Sequence, residues 1–267
     1  MIYLKTKGEI ELIRESSLLV SKTLALVASK IRPGISTLEL DEMAETFIRN
    51  NGGVPAFLGF QGFPNTLCVS VNDVVVHGVP SDYKIKDGDI VSVDCGVLKN
   101  GLYGDSCYTF QVGNVSEQKK LLCKIAKEAL TLGVETAVEG NRLGTLGNAI
   151  QKHVEGSGFS VVRELTGHGI GRDLHEEPEV RNYGKPWRGD KLLKGMVIAI
   201  EPMINAGSRK IYQLEDGWTV KTIDGMPAAH FEHTVLVGEK KAEVLSAFEI
   251  IEEKIEKNNF LWQNSLL

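Results

Sequence analysis

The chain has 267 residues, 42% hydrophobic and 24% charged, with a formal net charge of −5 at pH 7. That composition supplies a sizeable core for one large domain or two tightly joined halves, and its acid excess argues against a basic nucleic-acid-binding stripe. No apolar run is long enough to span a bilayer, and the opening MIYLKTKGEIELIRESS lacks the apolar stretch of an export signal. Cys68, Cys95, Cys107 and Cys123 show no paired metal spacing, so they read as reduced thiols of a cytoplasmic protein.

Residues 6–31 predict a long amphipathic helix, opened by a capping box of Thr6 and Glu9 and broken at Pro33-Gly34. Ser36 and Glu39 open a second helix over 36–51, which stops at Gly52-Gly53. Short strands are expected around 67–71 and 74–78. DIVSVD and DSCYTFQV then flank Asn100-Gly101, a strong hairpin signal because both turn residues need positive φ. With those two residues as the loop, Lys99 faces Leu102, Gly96 faces Asp105 and Cys95 faces Ser106. Asp94 lies two residues from Gly96 and so points to the same side as Asp105, a diagonal pair ~7–8 Å apart. Further helices are expected at 116–137 and 145–158, and strand-like runs at 159–165, 195–204, 216–224 and 230–238. Residues 247–267 begin as a charged helix and end in a polar tail.

The order repeats. GDIVSVD and GMVIAIE each carry a glycine six residues before an acid, Gly88 before Asp94 and Gly195 before Glu201. DSCYTFQVG and EHTVLVG then end each repeat. This predicts one catalytic domain over 1–267 made of two similar halves, roughly 1–125 and 126–250, with 251–267 as terminal helix and tail. Facing sheets would bring Asp94, Asp105, Glu201 and Glu232 together. Buried strand acids are unfavourable unless paired or metal-bound; two divalent cations would balance the four charges. His168 and His175 in GHGIGRDLHEEP, and His77 in VVVHGVP, sit among glycines that permit close backbone approach, whereas His153 reads as a surface residue. An oxygen-rich set with imidazole suits manganese, iron, cobalt or zinc, and two such ions can activate a shared water.

NDVVVHGVP, DCGVLKNGLYGDS, GHGIGRDLHEEP, AIEPM and HFEHT, in that order, resemble the type I methionine aminopeptidases over about residues 4–250. The resemblance implies the pita-bread α/β (α+β) fold: two pseudo-twofold-related halves with antiparallel sheets and outer helices. It implies removal of the N-terminal methionine from nascent proteins, favoured when the second residue is small, by attack of a metal-bound hydroxide. Asp94 would chelate one metal, Asp105 and Glu232 would bridge both, and His168 and Glu201 would complete the coordination of the second metal. Glu201 would shuttle the proton, His77 would contact the substrate near the scissile amide, and His175 would bind the carbonyl oxygen. Phe60, Phe63, Cys68, His77, His175 and Trp218 would form the substrate pocket, with Thr166 and Thr234 as outer partners of the metals.

The chain departs from the family pattern at Phe60 and Phe63, where tyrosines are frequent, at Leu174, often aromatic, and at His230, commonly a polar amide and expected near the metals. The implied partners are N-terminal Met peptides and nascent chains. Any ribosome contact would use the folded surface, and a monomer with no membrane or specific nucleic-acid partner is expected. A proline-directed aminopeptidase or prolidase shares the ligand set but usually carries an extra N-terminal domain, for which the early start of the first repeat leaves no room. A non-catalytic binding module of the same fold would have lost ligands.

Overall fold

Thr6 caps the first helix as expected, its hydroxyl accepting the Glu9 N–H while the Glu9 carboxylate returns to the Thr6 N–H. Helix α1 (Lys7–Lys30) is followed by α2 (Thr37–Asn50), opened by the matching box of Ser36 and Glu39. A computed structural model describes residues 1–262, so the polar tail expected at the C-terminus lies, from residue 263 on, outside the described residues. Strands β1 (Val54–Pro55), β2 (Leu67–Val71) and β3 (Val74–Val76) precede the long hairpin of β4 (Ile90–Lys99) and β5 (Leu102–Gln111). Helices α3 (Glu117–Thr136) and α4 (Leu143–Gly156) come next, then β6 (Ser160–Val161), β7 (Gly167–Gly169), β8 (Glu176–Val180), β9 (Val197–Ile200) and β10 (Met203–Asn205). The chain closes with β11 (Ile211–Gln213), β12 (Val220–Thr222), β13 (Ala228–His230), β14 (His233–Leu236), β15 (Glu243–Val244) and α5 (Phe248–Ile255).

Among the described residues the paired strands all run antiparallel. β1 and β2 flank one side of β4 and β5 the other; a five-stranded sheet runs β15-β14-β9-β7-β8, and two three-stranded sheets run β13-β10-β6 and β11-β12-β3. Helices α1 and α2 pack with the hairpin sheet, α5 lies against α1, and α3 and α4 pack with the strands that follow. α1 is buried along most of its circumference, and several of its buried residues are small and hydroxylated: Ser16, Ser17, Ser21 and Thr23. Small side chains let it lie close on the hairpin. Ser16 donates to Leu102 O at 2.8 Å, and a Cβ at Gly104 would meet Ser17 N at 2.4 Å.

Several expected elements are shorter or broken, with 216–224 paired only at Val220–Thr222 and 74–78 only at Val74–Val76. The run 159–165 pairs only at Ser160–Val161. The run 195–204 divides at Glu201-Pro202, and 230–238 at Phe231-Glu232. The helix expected from 145 begins at Leu143, behind Arg142, which makes no side-chain cap and so left no signal. Among the described residues no helix is long and apolar enough to cross a membrane.

Candidate metal centre

The hairpin has the register its turn dictates: Lys99 faces Leu102, Cys95 faces Ser106, Gly96 faces Asp105, and Asp94 faces Cys107. Asp94 and Asp105 thereby share a face. Gly96 keeps that face open, since a Cβ there would fall 2.6 Å from the Phe57 ring. In the second ladder Ile200 faces His233 and Met203 faces His230. One register runs through both pairs, so Glu201 stands opposite Glu232 at the interruption. Two carboxylates directly opposed repel, and Pro202 has no N–H for a ladder; pairing lapses there.

Hydroxyls join the two ladders. The Glu232 N–H donates to Cys107 O (3.0 Å), Ser106 Oγ donates to Glu232 O (2.7 Å) and Thr109 Oγ1 donates to His230 O (2.6 Å). Thr234 Oγ1 accepts the Asp105 N–H (3.1 Å) and donates to Asp105 O (2.7 Å). These contacts lock β5 against residues 230–234 and aim Asp105 and Glu232, 3% and 1% exposed, at the same point.

His168 enters from β7. Its Nδ1 donates to Gly169 O (2.9 Å), which leaves the Nε2 lone pair free, 3.5 Å from Glu201 Oε1. Asp105, His168 and Glu232 each present one ligand atom, all within 4.8 Å of one another. Asp94 Oδ1, Asp105 Oδ1 and Glu232 Oε1 are buried with no hydrogen-bond partner. Burial and mutual repulsion hold Asp94, Asp105 and Glu232 above the usual carboxylate range, and burial does the same to Glu201. Burial pushes His168 down to about 3, so its imidazole is neutral. Orphaned oxygens, clustered acids and a neutral imidazole are what a divalent cation relieves, and the residues fit such an ion.

A cavity of about 610 Å³ opens over this cluster and is lined by every site residue read from the sequence. Its apolar lining contains Phe63, packed edge-on against Trp218 (ring centroids 5.2 Å apart), with Phe60 in the same geometry against His175 (5.2 Å). Cys68 pairs with Asp94 across β2 and β4. Burial, then the nearby Asp94, pushes its thiol well above the normal range, so it offers an uncharged sulfur wall. Leu174 is 2% exposed in the same apolar cluster as Phe63 and Cys68. His77 holds a left-handed backbone, φ +56°, a strained conformation for a non-glycine residue; burial and neighbouring imidazoles lower its pKa to about 4. The His168 and His175 rings lie 4.2 Å apart.

Thr234 holds the Asp105 backbone, whereas Thr166 lines the cavity. His230 is 2% exposed, with Nε2 3.6 Å from Glu201 Oε2. His153 is half-buried and contacts Glu128 Oε2 (3.0 Å), tying α4 to α3. The sequence did not single out Phe57, Gln61 or Asn182. Phe57 and Gln61 line the cavity, and Asn182 Nδ2 donates to Glu201 O (2.9 Å). Nothing local in the sequence marked Phe57 or Asn182.

The profile of metallopeptidase family M24 matches residues 11–239. A methionine aminopeptidase of Clostridium perfringens is 52% identical over 246 residues, 92% of this chain and 99% of that protein. The crystal structure of methionine aminopeptidase from Rickettsia prowazekii superposes with a TM-score of 0.91 at 38% identity, covering 92% of this chain and all of that one. Prolidase from Pyrococcus furiosus is a weaker likeness: TM-score 0.75, 28% identity, with 92% of this chain matching 66% of that one. The fold is therefore the pita-bread fold that the motifs implied. The chain belongs to metallopeptidase family M24, among the methionine aminopeptidases.

Proposed function

We propose that this protein removes the N-terminal methionine from nascent proteins, favouring a small second residue. One observation carries the reading: four carboxylates and a neutral imidazole converge in a cavity that also holds Phe60, Phe63, Cys68 and Trp218. An unbranched thioether side chain packs well on aromatic edges and sulfur. Asp94, Asp105, His168, Glu201 and Glu232 would hold two divalent ions of manganese, iron, cobalt or zinc. Bound there, they supply Lewis acidity, polarising a carbonyl and acidifying water.

The remaining work belongs to side chains. Glu201, on the cavity wall, takes a proton from the attacking water and returns it to the leaving amine. His175, on the cavity wall against Phe60, donates to the carbonyl oxygen as charge develops there. His77, held in place by its backbone, contacts the substrate beside the scissile amide. Phenylalanine at 60 and 63 keeps the apolar wall and leaves no hydroxyl to meet a polar first side chain.

The same reading makes the protein a cytoplasmic monomer acting on Met-initiated chains, with any ribosome contact on its folded surface. Its chain would divide into halves near residue 125, each contributing one ladder. Cleavage of Met-Ala-Ser and of an Xaa-Pro peptide, after chelation and with metals added back singly, tests it. Metal-restored cleavage of Met-Ala-Ser supports the proposal; cleavage of the Xaa-Pro peptide alone would replace it with a proline-directed activity.

A further inference from the structure

Among the described residues, Lys5 is the one lysine or arginine that is buried. Its backbone N–H donates to Gly195 O (2.8 Å), just before β9, and its ammonium reaches Glu176 Oε2 at 2.5 Å. Both side chains are nearly closed to solvent, 4% and 6% exposed. Burying an ion pair gives little net stability, so a purely stabilising role is a weak account of it.

Glu176 follows His175 directly and faces Gly169 across β7 and β8. Its second oxygen, Oε1, accepts the N–H groups of Arg172 (2.7 Å) and Asp173 (3.3 Å). One carboxylate thus shapes the loop between His168 and His175, and one ammonium neutralises that carboxylate. Gly171 lets the two approach, because a Cβ there would collide with Lys5 Nζ. A second tie of opposite polarity runs alongside: the Arg172 guanidinium meets Glu9 Oε1 at 2.8 Å. Both ties leave the same short stretch, Lys5 to Glu9, at the entrance to α1.

We propose that this N-terminal stretch is a strap for the His175 loop, with Lys5 as a positioning residue acting through Glu176. The inference rests on the proposed role of His175. Without the ammonium, the buried Glu176 carboxylate loses its counter-charge and turns toward water, the two loop amides lose their fixed acceptor, and His175 shifts. A group that acts as charge develops is sensitive to such a shift, while ground-state binding in the apolar cavity is not.

The test compares wild type, Lys5→Arg, Lys5→Met and the charge-free pair Lys5→Met with Glu176→Gln, all metal-loaded. The double variant leaves no unpaired buried ion and keeps the comparison open if Lys5→Met fails to fold. Expected are a kcat at least about tenfold lower in both Met variants, KM within about twofold, and most activity recovered by Arg. Metal content should stay unchanged, and the His175 imidazole resonances should move in 15N-histidine spectra of the Met variants. A folded double variant with wild-type kcat and an unmoved His175 resonance would overturn the strap. If the wild type does not cleave Met peptides, the proposed activity fails, while the His175 resonances still decide whether Lys5 holds the loop.

Discussion

The two acid-bearing ladders solve the same problem differently. In β4 and β5 pairing is unbroken for the whole length of both strands, and the face that carries Asp94 and Asp105 is opened by removing a side chain, at Gly96. In the second ladder, the register is equally regular on either side, yet pairing stops where Glu201 meets Glu232. A diagonal pair of acids is tolerated within a ladder; an opposed pair beside a proline is not. The strand ends freed there let β5 dock through Ser106, Thr109 and Thr234. One ladder is therefore a rigid platform, and the other is a clamp fitted to it.

The largest effect should come from emptying the junction. Asp105→Asn on the platform and Glu232→Gln on the clamp should each lower metal affinity and turnover by more than about a hundredfold, beyond what outer partners of a metal cost. Equal losses, read by calorimetric titration and peptide cleavage, would show that the ladders share one centre; a loss confined to one would break the comparison. His175→Ala should reduce kcat by roughly 10²–10³-fold with metal content intact, as loss of an oxyanion donor does. Thr234→Val removes the hydroxyl that joins the ladders and leaves the Asp105 N–H without its partner, which should cost about 1–3 kcal/mol in denaturant unfolding. Gly96→Ala sets a methyl against Phe57 on the platform alone and should destabilise by about 1–3 kcal/mol, with KM raised more than kcat is lowered.

The smallest effect belongs to the Glu9 cap, outside both ladders. Its hydrogen bonds from Thr6, then the Arg172 contact, depress its pKa from 4.5 to about 2. A depressed carboxylate contributes stability that is full above pH 4.5 and lost as pH falls through about 2. Glu9→Gln should therefore unfold below wild type at neutral pH, by less than about 1 kcal/mol for a cap at the protein surface, with the gap in Tm closing across that window.

Local chemistry made much of this legible from sequence. Asn100-Gly101 set the hairpin register because a two-residue turn admits one pairing. Thr6-Glu9 and Ser36-Glu39 marked helix starts because capping is a contact between near neighbours. The family motifs named the acids and histidines that line the cavity. The break at Glu201 and Glu232 was not legible: MVIAIEPMI and HFEHTVLVG each read as one strand, and only their mutual register opposes the two acids. Asn182 behind Glu201, and Lys5 beneath the His175 loop, were hidden for the same reason, since their partners lie far along the chain.

Anomalous diffraction from crystals grown with manganese would test the shared centre most directly. The account predicts metal peaks within bonding distance of Asp94, Asp105, His168, Glu201 and Glu232, two of them about 3.5–4 Å apart. Peaks bound by acids of a single ladder, or found outside this cavity, would contradict it.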